Sequence, residues 1–206
     1  MRKVSLNFLE RNAALQQKTP ARERVVASAK QLFSERGFHR TAMADLAQDA
    51  QVSVGTIYRS FASKSEIIRA IIQADTAETL GKLRAAIGEV RDGRASGHAT
   101  IEKMVQDWVS KRDDALNHEI VAEAQRNLEV AQMVAATCGQ FRDLLRDLAT
   151  LLKPGLTGTE VEGIAELLLA CLFGMGNREF TAPRLDEAQT AAIVTRILLH
   201  GVEADQ

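Results

Sequence analysis

Two short apolar stripes in residues 41–66 organise the N-terminal part of this chain. Their members recur at i, i+3, i+4 and i+7, which is typical of one face of an amphipathic helix. The first stripe is Met43, Leu46, Ala47 and Ala50, and the second is Val54, Ile57, Tyr58 and Phe61. Ser53 lies between the stripes and is a good N-cap for the second helix. The pattern predicts a helix-turn-helix, whose short second helix fits the major groove of DNA.

Residues on both sides of this motif predict the remaining helices of the N-terminal part. Pro20 marks the start of helix 1, and Thr41 is predicted to be the N-cap of helix 2. Ser63 and Glu66 form a predicted capping box at the start of helix 4. The apolar periodicity of helix 4 continues to about residue 91, so this helix is about 40 Å long.

The remaining sequence predicts five more helices, which makes nine in an all-α protein. A capping box formed by Thr159 and Glu162 opens helix 8, and Pro183 and Asp186 open helix 9. Helices 5, 6 and 7 are predicted at about 98–111, 115–126 and 128–152.

The charge is distributed unevenly, although the chain as a whole is almost neutral. Residues 1–70 contain 12 Lys and Arg against 6 Asp and Glu, whereas residues 71–206 contain 14 against 21. A basic N-terminal segment followed by an acidic remainder suggests a polyanion as the partner of the N-terminal segment. We predict an N-terminal arm at 1–18, a helix-turn-helix DNA-binding domain at 19–66 and a larger helical domain at 67–206. The arm is more typical of a frayed tail or a surface helix than of a segment that touches DNA.

Composition and motifs exclude several classes of protein. Cys138 and Cys171 lack the CxxC spacing of a zinc or redox site and are too few for a disulfide framework. The four histidines fit no metal-binding spacing, and the glycine and serine motifs of phosphate loops and hydrolases are missing. We therefore expect no metal, no cofactor and no enzymatic activity. No apolar run suits a signal peptide or a membrane span, so we expect a soluble cytoplasmic protein.

A family resemblance appears in the same N-terminal stretch. The segment GTIYRSFASKSE, with RERVVASAKQLFSERGFHRTAM upstream, resembles the DNA-binding domain of the TetR (tetracycline-repressor) family over about residues 20–70. One departure is Gln51, which stands where the family usually has glycine. A side chain in a left-handed turn costs on the order of 1 kcal/mol, so Gln51 strains the turn without excluding it.

The resemblance and the local chemistry together give the candidate DNA-binding residues. The resemblance implies that the Tyr58 hydroxyl and the Lys64 ammonium contact DNA phosphates. A Tyr58 ring packed on helix 1 is a second interpretation, and it is compatible with the phosphate contact. Small hydroxyl residues near helix N-termini suit phosphate oxygens, and Arg59 reaches a base edge or a phosphate. The candidates are Thr41, Ser53, Gly55, Thr56, Tyr58, Arg59 and Lys64.

A second set of residues is chosen for the chemistry of an apolar small-molecule effector, which the resemblance implies for the helical body. Adaptable methionines and flat aromatic rings beside a few polar groups suit such a ligand, although each residue is also explained as ordinary helical core. The candidates are Met104, Trp108, Gln125, Met133, Cys138, Phe141, Phe173 and Asn177.

Helices 8 and 9 are the predicted dimer interface. Both show small residues at helical spacing, which allows another helix to approach, and helix 9 is apolar over more than half its girth. Two such helices from each subunit form a four-helix bundle. The candidates are Gly163, Ala170, Gly174, Ala188, Ala192, Thr195 and Leu199.

The predicted function is that of a homodimeric, sequence-specific transcriptional regulator. The resemblance implies a repressor that a small molecule releases from a palindromic operator in double-stranded DNA. Two alternatives come from other classes: a helical enzyme or carrier of an apolar molecule, and a DNA-organising protein without an effector.

Overall fold

The computed structural model describes residues 20–110 and 115–203 of the chain. These residues form nine α-helices and no strand, which confirms the predicted all-α fold. The predicted arm at 1–18 lies outside the described residues. The helices are α1 Ala21–Arg36, α2 Met43–Asp49, α3 Val54–Ser60, α4 Lys64–Arg91, α5 Gly97–Val109, α6 Ala115–Ala124, α7 Leu128–Leu152, α8 Gly158–Gly176 and α9 Glu187–Glu203.

The helices form two compact units. Among the described residues, the first unit, here called the head, contains 20–73 and 115–133; the second, the body, contains 74–110 and 134–203. The head therefore includes α6, which the sequence-based division placed in the domain after residue 66. The reason is that α6 packs against α1, and such a long-range contact leaves no local pattern in the sequence. The functional boundary after residue 66 stays a prediction.

The core of the head is built from the apolar faces of its first helices. Leu46 and Ile57, one from each predicted stripe, are completely buried, and α2 packs against both α1 and α3. Phe38 folds back onto this core, with its ring centroid 5.2 Å from that of Phe33. A helix of seven residues such as α3 is not stable alone, so tertiary packing through Ile57 fixes its orientation.

Two caps in the head differ in detail from the prediction. The N-cap of α2 is Ala42, because Thr41 lies one residue outside the helix with its side chain in the core. At α4, the Ser63 hydroxyl accepts the Glu66 amide at 3.2 Å, as predicted. The Glu66 carboxylate, however, accepts the amide of Ala62 at 2.8 Å, one residue earlier than a capping box requires.

The capping box of α8 lies two residues earlier than predicted. It consists of Thr157 and Glu160, whose carboxylate accepts the Thr157 amide at 2.6 Å. The pair Thr159 and Glu162 has the same spacing, so the local pattern alone did not distinguish the two. At α9 the prediction is confirmed, since the Asp186 carboxylate accepts the Gln189 amide at 2.7 Å.

The turn between α2 and α3 has the left-handed geometry expected of it. Gln51 adopts a φ of 53°, one of two positive values among the non-glycine residues that the structure describes. The left-handed region costs a side-chain-bearing residue about 1–2 kcal/mol, whereas glycine adopts it freely. The strain predicted at this departure from the family pattern is therefore present.

This strain predicts that Gln51→Gly stabilises the head. The relief of about 1–2 kcal/mol exceeds the extra backbone entropy that glycine loses on folding, about 0.5–1 kcal/mol. Gln48→Gly is the matched control, because Gln48 is exposed inside α2, where glycine destabilises by about 1 kcal/mol. Chemical denaturation of both variants measures the difference. Equal destabilisation by the two substitutions would contradict the strain.

The core of the body is apolar and draws on α4, α5, α7, α8 and α9. The helix α5 packs against both α8 and α9, and it contributes Met104 and Trp108, each 7% exposed. From α7, Leu145 and Leu148 are completely buried in the same cluster. This core holds α8 and α9 with one side of each helix turned away from it.

Candidate functional site

The outward surface of α3 presents a chain of hydrogen-bonded polar side chains. The Ser53 hydroxyl accepts the Thr56 amide at 3.1 Å and lies 2.8 Å from the Thr56 hydroxyl. Arg59 donates to the same Thr56 hydroxyl at 2.9 Å. Ser53 and Arg59 are exposed, so these groups can exchange partners with phosphate or base atoms without uncovering the core.

Tyr58 lies on the same helix and is 54% exposed. This exposure argues against the interpretation in which its ring packs on helix 1. The neighbouring Ile57 fills that role instead, because it is completely buried. The Tyr58 hydroxyl is therefore free to reach beyond the head, as a phosphate contact requires.

Gly55 is exposed on α3, and the folded chain itself does not require a glycine there. A Cβ atom added to Gly55 would meet only the Ser53 hydroxyl, at 3.8 Å, which is ordinary van der Waals contact. Helices favour alanine over glycine, so the intrinsic preference of this position opposes the residue found. Glycine is explained at this position if another molecule comes close to the backbone, because a side chain would block that approach.

Thr41 and Lys64, two of the predicted DNA contacts, take part in the core of the head. The Thr41 hydroxyl is fully buried and donates to the Gly37 carbonyl oxygen at 2.9 Å. Lys64 Nζ donates to the carbonyl oxygens of Phe38 and Thr41 at 2.8 and 3.0 Å, and it lies 4.5 Å from the centre of the Phe38 ring. Burial lowers the pKa of the Lys64 ammonium, which the negative charge of Glu123 partly offsets. The expectation of a phosphate contact through the Thr41 hydroxyl does not fit this geometry.

The geometry at Lys64 predicts a loss of stability on Lys64→Met. Two carbonyl oxygens would lose a charged donor, at a cost of about 1–3 kcal/mol. Lys82→Met is the control, because Lys82 lies on the same helix in an exposed pair with Glu78 that contributes little. Thermal denaturation compares the two variants. If Lys64→Met leaves the midpoint of thermal denaturation unchanged but weakens DNA binding, Lys64 contributes a phosphate contact and no stability.

Polar contacts that no sequence pattern indicated join α6 to the rest of the head. The Glu119 carboxylate accepts the Phe38 amide at 2.9 Å. The Glu123 carboxylate is buried 2.8 Å from His39 Nε2, and it also accepts the side-chain amide of Asn127 at 3.0 Å. Glu119 is 81 residues from Phe38 in the chain, so no spacing rule applied to a single helix would have found the contact.

The candidate effector residues are divided between the two units. Gln125 and Met133 fall in the head, and the other six fall in the body. Met104 and Trp108 are buried in the body core, and Cys138 and Phe141 pack against it. Phe173 is 38% exposed. The structure therefore gathers only part of the predicted set around one core.

The candidate dimer residues lie mostly on the outward faces of α8 and α9. Gly163, Ala170, Gly174, Ala188 and Ala192 are exposed. Thr195 and Leu199 differ, because Thr195 is 1% exposed and Leu199 packs against the body core. The outward faces also include three large apolar side chains that the prediction omitted: Leu167, Ile193 and Ile197. Their helical spacing was visible in the sequence, but which side of each helix faces outward was not.

Neither a metal site nor a membrane-spanning helix is found among the described residues. Among them, no group of histidine, cysteine and acidic side chains has the arrangement of a metal site. None of the helices they form is both long enough and apolar enough to span a membrane.

Part of the head matches a family of known proteins. Residues 25–71 match the model of the bacterial regulatory proteins of the tetR family. Residues 25–71 of the chain belong to the TetR family. The match covers α2, the turn at Gln51 and α3, and it extends into α4. It confirms the resemblance inferred from the sequence of these helices.

Relatives and solved structures extend the likeness beyond this TetR-family region. The HTH-type transcriptional regulator UidR of Escherichia coli (strain K12) is 34% identical over 120 residues, which are 56% of this chain and 57% of UidR. The chain thus spans little more than half the length of that relative. GusR of Salmonella enterica is 27% identical with a TM-score of 0.68, over 89% of this chain and 95% of GusR.

A third likeness shows the fold alone. The transcriptional regulator FadR from Bacillus subtilis, in complex with stearoyl-CoA, has a TM-score of 0.69 at 18% identity, over 87% of this chain and 98% of FadR. UidR is described as a transcriptional regulator, and the matching family model is that of bacterial regulatory proteins. The comparisons therefore favour a regulator over the enzyme or carrier that the sequence left open.

Proposed function

We propose that this TetR-family protein is a homodimeric transcriptional regulator that binds a palindromic operator and is released from it by a small-molecule effector. The observation that supports this most strongly is the exposed polar face of α3 within the matched region, residues 25–71. Repression is proposed as the direction of control. A regulator of this family acts on DNA, so we place it in the cytoplasm with the bacterial chromosome.

The proposed DNA contacts come from α3 and the turn before it. Ser53, Thr56 and Tyr58 supply hydroxyls for phosphate oxygens, Gly55 allows close approach, and Arg59 reaches a base edge or a phosphate. Phosphate contacts fix the position of the head, whereas a base contact by Arg59 would select the sequence. Lys64 retains one donor hydrogen beyond its two carbonyl partners, which is available for a phosphate. Thr41 is left out because its hydroxyl is buried.

The proposed dimer uses the outward faces of α8 and α9. Leu167, Phe173, Ile193 and Ile197 are between 36% and 63% exposed, and small residues lie beside them. Apolar area with small residues at its centre suits a second pair of helices, and a two-fold axis pairs the same patch with itself. A second copy of this chain is therefore the proposed partner, with about 2,000 Å² or more buried in a stable dimer.

The proposed effector site lies in the body, near Met104, Trp108, Cys138 and Phe141. FadR has the same fold and binds stearoyl-CoA, which supports an amphipathic ligand for a body of this kind. The helix α4 contributes residues to both units, so a ligand that shifts it changes the spacing of the two heads in the dimer. For release, the effector has to bind more tightly to the spacing that does not fit the operator.

Selection of DNA by the purified protein tests this function. Random duplexes are mixed with the full chain, bound fragments are recovered and amplified over several rounds, and the products are sequenced. We expect enrichment of a pseudo-palindrome with two half-sites, because two heads related by a two-fold axis read the same sequence on opposite strands. A pool without any shared sequence would favour the DNA-organising protein instead.

A further inference from the structure

Two buried polar atoms of the body have no hydrogen-bond partner among the described residues. They are Nε of Arg142, on α7, and Oγ1 of Thr195, on α9. Thr195 is 1% exposed, so water does not replace the missing partner from the surface. Buried polar groups are nearly always paired, and a guanidinium N–H without an acceptor is costly. The two atoms therefore mark places where an additional molecule supplies the partners.

Arg142 lies on the strip of α7 that faces the body core. Its helical neighbours Cys138, Phe141 and Leu145 all pack in the apolar cluster that contains Trp108. The positive charge of Arg142 reaches this strip: burial raises the pKa of the Cys138 thiol, and Arg142 lowers it in part. A cation is thus held beside an apolar core.

Thr195 occupies the equivalent strip of α9. Ala191 and Leu198, one turn before and one turn after it, are buried in the same cluster. The helix α9 packs against α5, which contributes Met104 and Trp108 to that cluster. Thr195 was expected at the dimer interface, but its hydroxyl is enclosed within its own chain and points to a different use.

Among the described residues of the body, no buried anion is available to Arg142. The members of the body cluster are apolar residues and two cysteines, and Glu123, the buried carboxylate among the described residues, belongs to the head. A guanidinium with an open N–H matches a carboxylate, sulfonate or phosphate, because planar donors bind such oxygens in pairs.

We propose that the effector is an amphipathic anion, whose acidic group binds Arg142 and whose apolar part occupies the core around Trp108. The Thr195 hydroxyl is a second polar contact for the same ligand. This inference rests on the proposed function, since it names the chemical class of the effector, and neither Arg142 nor Thr195 was among the effector residues expected from the sequence.

A pair of fluorescent probes tests the acidic group. The probes are 8-anilinonaphthalene-1-sulfonate and N-phenyl-1-naphthylamine, which share their aromatic rings and differ by the sulfonate. Trp108 is the only tryptophan, so energy transfer from it reports probe bound near the body core. We expect the wild-type full chain to bind the sulfonate about tenfold more tightly or better, because charge-assisted hydrogen bonds are strong. Equal affinities for the two probes would overturn the proposal.

Variants assign the preference to a residue. Arg142→Met should remove the preference for the sulfonate and leave the affinity for the neutral probe unchanged, whereas Arg142→Lys should keep part of it. Arg146→Met is the matched control, because Arg146 is exposed one turn along α7 and pairs with Glu162 at 2.9 Å. Thr195→Val should weaken the sulfonate without affecting the neutral probe. A preference that survives Arg142→Met, or Arg142→Gln if the methionine variant does not fold, contradicts the proposal.

Operator binding by the same proteins, without probe, separates this inference from the proposed function. Normal operator binding with no anion preference would reject the anionic effector alone. An anion preference that depends on Arg142, in a protein that binds no operator, would reject the regulator and leave the anion site standing.

Discussion

Ala192→Glu is expected to convert the proposed dimer into a monomer. Ala192 is exposed on α9, with the exposed Ala188 one turn before it and the exposed Ile193 and Ile197 after it. In a two-fold dimer each substitution occurs twice, and each carboxylate would be buried in an apolar seam without a partner. At about 3 kcal/mol per charge, the dissociation constant rises by about 10⁴-fold.

Analytical ultracentrifugation at micromolar concentration measures this change. Ala85→Glu is the control, since Ala85 is an exposed alanine on α4 and lies away from α8 and α9 in the chain. The control should remain dimeric, and the monomeric Ala192→Glu protein should lose the affinity that comes from two joined heads. If Ala192→Glu sediments as an intact dimer and binds operator normally, the two copies meet through another surface.

Gly55→Ala is expected to abolish tight operator binding without harming the fold. The added methyl group meets only the Ser53 hydroxyl in the free protein, and alanine is the better helix former. In the complex, the same methyl would lie between α3 and the DNA backbone. Overpacking of a close contact costs about 1–3 kcal/mol, and both heads of the dimer are affected. The operator affinity should therefore fall by at least about 30-fold.

Thermal denaturation and operator titration are needed together for this variant. The expected result is a melting temperature equal to or above that of the wild type, together with weak binding. Gly81→Ala is the matched control, because Gly81 lies in α4 with open space around it and outside the head. It should raise stability and leave the affinity unchanged. Wild-type affinity in Gly55→Ala would show that DNA does not approach the backbone at this position.

The helices themselves were predictable from the sequence, because each is specified by residues close together in the chain. The stripes at 43–50 and 54–61 define α2 and α3, and their buried members Leu46 and Ile57 form the core as the spacing predicted. The strained turn was predictable as well, because the family usually has glycine at this position and the chain has Gln51. The start of α8 was not, because Thr157 and Thr159 are each followed three residues later by glutamate.

The site was less predictable because its chemistry depends on contacts across long separations. Lys64 reads as an exposed cation at a helix start, yet its ammonium binds two carbonyl oxygens more than 20 residues away. Thr41 reads as a helix cap, yet its hydroxyl bonds to the Leu32 and Gly37 carbonyls in the core. The burial of Thr195 likewise depends on how α9 is rotated against α5, which a helix that is apolar over more than half its girth does not determine.

The affinity of the full chain for a selected operator, measured across salt concentrations, tests the proposed regulator most directly. A duplex from the selection is compared with a shuffled duplex of the same composition. We expect the operator to be preferred at every salt concentration, with two chains bound per duplex. The logarithm of its association constant should fall steeply and linearly with the logarithm of salt, because the basic head displaces counterions from phosphates. A flat dependence on salt, with equal affinity for both duplexes, would contradict DNA recognition by this protein.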